Sequence, residues 1–120
     1  MTPEQTSAMI KKVVEGIFND FPEVLERYGE TGKKRTWEDN EHHFKHLETA
    51  LYMNDQKFFT DYALWLNNIL TKRGMKTSLL IDNFERIEQE IKEENIQKKD
   101  EYLQLLELAI HSLQEQAELQ

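Results

Sequence analysis

A chain of 120 residues with 38% hydrophobic and 32% charged side chains has the size of one domain and enough apolar surface to close its own core. Its formal net charge of -8 argues against nucleic acid or an anionic membrane as the main partner, since both are held largely by surplus Lys and Arg. The absence of cysteine excludes disulfides, thiol catalysis and thiolate metal sites; with no signal-peptide pattern and no apolar run of membrane-spanning length, the expected location is cytoplasmic.

Four glycines and two prolines are too few turn residues for a β-rich fold. The expected class is all-α, a single domain over 1–120 built as a four- to five-helix bundle, with a globin-like arrangement as second choice. Apolar residues at Met9, Val13, Ile17, Phe18, Phe21, Val24, Leu25 and Tyr28 recur at steps of three and four, one face of a helix. Pro22 lacks an amide donor and clashes with the preceding turn, so the first helix should end at Asp20 or Phe21 and a short second one run to Tyr28. Gly29 and Gly32 should close it, leaving GETGKKR as a loop that carries the basic cluster Lys33-Lys34-Arg35.

A central hairpin is expected over about 36–74. Thr36 and Asp39 have capping-box spacing, which predicts a helix opening at Trp37 with the stripe Trp37, Asn40, Phe44, Leu47 and Leu51 inward. Asn54-Asp55 signals a turn and N-cap, after which Phe58, Phe59, Tyr62, Trp65, Leu66, Ile69 and Leu70 give a broad apolar face suited to a central helix. Lys72, Arg73 and Gly74 mark its end. From about 77 to 118 two readings stand side by side. A helix capped at Thr77 or Ser78, with Leu80, Phe84, Ile87 and Ile91 inward, is followed either by a second helix from about Gln97 or by unbroken continuation as one dimerising helix, Lys92-Glu93-Glu94-Asn95 being the weakest point.

Two clusters have the composition of sites. His42 and His46 lie four apart and His43 between them, so a metal ion could be shared, with Glu41 and His111 as further ligands of a hemerythrin-like bundle. At about 100° per residue, however, the stripe from Trp37 to Leu51 puts His42 and His46 on the opposite side of the helix and His43 at its border, facing water or a partner. Trp37, Asn40, Phe44, Phe58, Tyr62 and Trp65 could wall a pocket for a flat apolar ligand, although filling space between helices accounts for the aromatics equally well. The acidic residues are spread over outward faces, and no Ser-His-acid set, phosphate loop, GxSxG or HExxH is present, so no catalytic residue is assigned.

The series Arg27-Tyr28-Gly29, Gly32, Asp39, His43-Phe44, Leu47, Ala50-Leu51, Phe58-Phe59, Asp61-Tyr62, Trp65-Leu66, Leu70 and Arg73-Gly74, over about residues 26 to 75, resembles a helical segment of bacterial sensory and regulatory proteins, some with a cobalamin-binding domain. In those sensors a helical bundle caps the corrinoid with a tryptophan and a Glu-His pair, to which Trp37 and Glu41-His42 would correspond at a much shorter separation. The Asp-x-His-x-x-Gly of the accompanying α/β domain has no counterpart, as the chain contains no Asp-x-His. The resemblance therefore implies a sensory or regulatory helical module and no assigned cofactor, cobalamin or other tetrapyrrole lacking support in the residues. The expected function is non-enzymatic: binding of a partner protein or small apolar ligand by a module that self-associates as a homodimer. The alternatives are the histidine-based metal bundle and an enzyme of unknown reaction.

Overall fold

The chain enters its first helix through a capping box that the polar start conceals. In a computed structural model that describes residues 1–119, the Thr2 hydroxyl accepts the Gln5 amide at 3.1 Å and the Gln5 side chain accepts the Thr2 amide at 3.0 Å. Helix α1 then runs over Pro3–Asp20, and Pro22 interrupts it where the missing amide requires, so that α2 begins at Pro22.

The expected loop after Tyr28 is not formed. Helix α2 spans Pro22–Met53 and contains a single non-helical residue, Gly29, at φ 62 and ψ -154. That conformation is essentially restricted to glycine, so Gly29 acts as a one-residue kink and the helix resumes at once through GETGKKR. Gly32 serves the kink as well: a Cβ there would collide with Cβ of Tyr28, which the bend brings back against the next turn. Because the helix is already under way, the Thr36–Asp39 capping box is not used; the Thr36 hydroxyl donates instead to the Gly32 carbonyl at 2.9 Å.

The rest follows its punctuation. Asn54, left-handed at φ 52, ends α2, and α3 covers Gln56–Lys72, with Asp55 in the cap position but making no side-chain cap bond. Gly74 at φ 88 turns the chain into α4, Thr77–Glu93. The segment 77–118 is two helices: α5 is Lys99–Glu118, and between them Ile96 inserts into the core while Lys98 turns the backbone at φ 59.

Among the described residues there are five helices and no strand. Neighbour contacts close the ring α1–α2–α3–α5–α4–α1, and the principal extents of 37 × 34 × 18 Å make the bundle about two helix diameters deep. Met9, Val13, Leu47, Phe59, Phe84, Ile87, Leu106 and Leu113 form its fully enclosed centre. Helix α3 lies against α2 and α5, with weaker contact to α4, and its outer face is bare rather than central. No described helix is long and apolar enough to cross a membrane.

Candidate functional site

The kink at Gly29 aims the remainder of α2 so that its residues 36–43 meet α3 and α4 along a polar seam. Asn40 is completely buried and exchanges two hydrogen bonds with Asn83 of α4: Asn40 Nδ2 donates to Asn83 Oδ1 at 3.0 Å and Asn83 Nδ2 to Asn40 Oδ1 at 2.7 Å. Asn40 Nδ2 also donates to the Thr36 carbonyl at 2.9 Å. One turn further on, His43 lies 1% exposed, its ring edge-on to Phe84 at 5.0 Å and its Nδ1 2.7 Å from the Tyr62 hydroxyl of α3.

Burial, reinforced by the nearby His46 and His42, holds the His43 imidazole down to about 3, so it is neutral at ordinary pH. Burial and then the charge of Asp39 push the Tyr62 phenol well above its usual range. The bond between them is therefore one between two neutral groups. Asp39, on the same face of α2 as His43, is itself raised from the ordinary carboxylate value by burial. It makes no hydrogen bond or ion pair among the described residues.

Tyr62 links this seam to the surface. On its outer side His46 stacks on the phenol ring at 3.7 Å with 12° between planes, and beside it on Phe58 at 5.6 Å. His46 Nδ1 lies 2.7 Å from the His42 carbonyl, which can only accept, so Nδ1 carries a proton. Trp65, one turn along α3, is tilted toward Tyr62 at 6.4 Å and is 60% exposed. These four rings, with Asp55, Lys57 and Asp61 at the rim, wall an open groove of about 430 Å³. Lys57 is held by Asp61 at 2.6 Å.

The six residues read from the sequence as one pocket divide among four places. Phe58, Tyr62 and Trp65 come together on the aromatic face. Asn40 is committed to Asn83, Phe44 is in the core beneath a different groove between α1 and α2, and Trp37 lies half-buried among Glu30, Lys34 and Glu38. The histidines also part company: His42 is exposed, His43 is interior rather than at a border, His46 rests on Tyr62 rather than pointing freely outward, and His111 of α5 pairs with Glu115 at 2.7 Å. Among the described residues no group of three His, Asp or Glu side chains is placed to hold a metal ion.

Asn83, Asp39 and the inward role of His43 are the parts that sequence reasoning missed. Asn40, His43, Phe44 and Leu47 follow core spacing of three and four, a signal that carries His43 inward, whereas the helical rotation measured against the whole stripe from Trp37 to Leu51 leaves it at the border. Chemically, the arrangement offers a rigid neutral interior and a pre-stacked aromatic surface, which suits recognition. Comparison with known proteins returns no matching family model, no matching curated protein and no matching solved structure.

Proposed function

We propose that the chain is a non-enzymatic sensory or regulatory helical module that recognises a partner protein through the aromatic face of α2 and α3. The observation that carries this reading is Trp65, 60% exposed above a Tyr62 ring already immobilised by His46 and by its bond to His43. A large exposed ring on a fixed support loses little side-chain freedom when it is covered, and tryptophan is the residue most enriched among those that dominate interface energies. With Asp61 paired to Lys57, Asp55 leaves the rim acidic by one charge, and on a chain of net charge -8 this favours a partner segment that presents aliphatic and basic side chains. The likeness of residues 26 to 75 to bacterial sensory and regulatory proteins and the lack of cysteine agree with a signalling role in the cytoplasm.

The test is proximity cross-linking in cells with Trp65→Ala beside wild type and Tyr52→Ala as a control, Tyr52 being 91% exposed away from the groove. The expected result is a partner captured by wild type and Tyr52→Ala and lost with Trp65→Ala, the variant keeping its helical circular dichroism. An identical capture profile for Trp65→Ala would overturn the reading.

A further inference from the structure

Behind the polar seam lies a half-enclosed cavity of about 70 Å³, where α1, both parts of α2, the end of α3 and the start of α4 converge. Ile17, Val24, Leu66, Leu70, Leu79 and Leu80 supply apolar walls. At its polar end stand Asp39 and His43, with Thr36, Asp82, Asn83 and Lys76 nearby. Three of these six are already bonded elsewhere. Thr36 is bonded to Gly32, both amide atoms of Asn83 to Asn40, and Asp82 to Arg86 at 2.7 Å. Besides Lys76, two groups remain. The Asp39 carboxylate has no hydrogen bond or ion pair among the described residues, and His43, buried and bonded only through Nδ1, keeps Nε2 without a partner.

From this we infer that the cavity is a binding site for a short primary alkylammonium ion, its nitrogen on Asp39 and His43 Nε2 and its alkyl chain between the leucines. The chemistry decides the class. Arg35, Arg73 and His42 are near enough to act on the Asp39 carboxylate but none bonds it, so it can still take a cation at the cavity; an ammonium has three donors to share between a carboxylate and an imidazole acceptor. In the bound form His43 Nδ1–H donates to Tyr62 and Nε2 accepts. Size limits the chain: the volume is about half that of a ~150 Å³ engineered cavity that takes benzene, which leaves room for roughly three or four non-hydrogen atoms. Lys76 stands exposed at the rim without an ion pair to Asp39, so its charge opposes entry rather than filling the site. This site is separate from the aromatic face, and its test does not involve Trp65.

Methyl-labelled protein titrated with n-propylammonium chloride, and with n-propanol at matched ionic strength, reads the site directly by NMR. Saturable shifts are expected on the methyls of Ile17, Leu66, Leu70, Leu79 and Leu80, with n-propylammonium bound about tenfold or more tighter than n-propanol. Asp39→Asn should remove that preference and Lys76→Gln should strengthen binding of the cation. Lys76 is exposed, so the second variant still decides if Asp39→Asn fails to fold. No saturable shift on those methyls, equal binding of alcohol and ammonium, or insensitivity of the cation to both substitutions would each overturn the assignment.

Discussion

Tyr62 touches both sides of the helical wall, and its hydroxyl is the hydrogen-bond partner of Nδ1 in the buried His43 imidazole. Tyr62→Phe keeps the stack under His46 but leaves His43 Nδ1 buried without a partner, at a cost of about 1–3 kcal/mol. Chemical denaturation should register that loss while the helical dichroism stays constant; an unchanged midpoint would mean that water reaches Nδ1. The Asn40–Asn83 pair admits a sharper measurement because the two side chains satisfy each other. Asn40→Ala and Asn83→Ala should each destabilise by about 1–3 kcal/mol through the amide left behind, and the double variant should cost less than their sum, with a coupling of roughly 0.5–3 kcal/mol. Strict additivity would show the pair to be energetically idle. Asn40 was legible from the sequence as an inward polar residue; Asn83 has the matching core spacing, three after Leu80 and four before Ile87, but that the two asparagines pair depends on which helices face each other, which spacing along one helix does not contain.

At the scale of elements, the sequence was most informative where a residue acts through its own backbone. Pro22 separates α1 from α2, Asn54 and Gly74 end α2 and α3 in left-handed turns, and the apolar spacing of Leu80, Phe84, Ile87 and Ile91 matches the buried face of α4. The error at Gly29 has a physical origin, because a glycine at positive φ after a helical run has the same local signature whether the chain leaves the helix or bends and resumes. What decides between them is packing of the later turns against other helices, which no window of adjacent residues contains. Likewise the α4–α5 break depends on Ile96 finding the core, a tertiary event. Gly29→Ala tests the kink. Nothing lies within 4 Å of an added Cβ, so its effect is backbone strain alone, a destabilisation of about 1–3 kcal/mol. If the variant melts with wild type, the positive φ at Gly29 is not maintained in solution.

For the molecule as a whole, the interior titratable groups predict how stability responds to acid, and they do not all act in one direction. His43 has its folded value held at about 3 against an ordinary 6.5, so below 6.5 the unfolded chain takes up a proton that the folded one refuses. Its contribution is fully present above 6.5 and is lost as pH falls toward 3, amounting to on the order of 5 kcal/mol over the interval. Asp39, Glu88 and Glu90 are raised by burial, which gives the opposite sign: their contribution is full below the ordinary carboxylate range and is lost as pH rises through their raised values. His43 should prevail, because it is enclosed while the three carboxyls keep partial access to water. Urea unfolding at successive pH values should therefore show a steady decline from 6.5 downward, softened near the carboxylate range. The double variant His43→Leu/Tyr62→Phe removes the imidazole without leaving an unpaired hydroxyl, so its decline over the same interval should be smaller by about the His43 share. Parallel curves for the two proteins would place the proton uptake elsewhere and show that His43 accepts a proton within the folded bundle. The coupling matters beyond stability, since a proton added to His43 puts a buried charge directly behind Tyr62, the support on which Trp65 meets a partner.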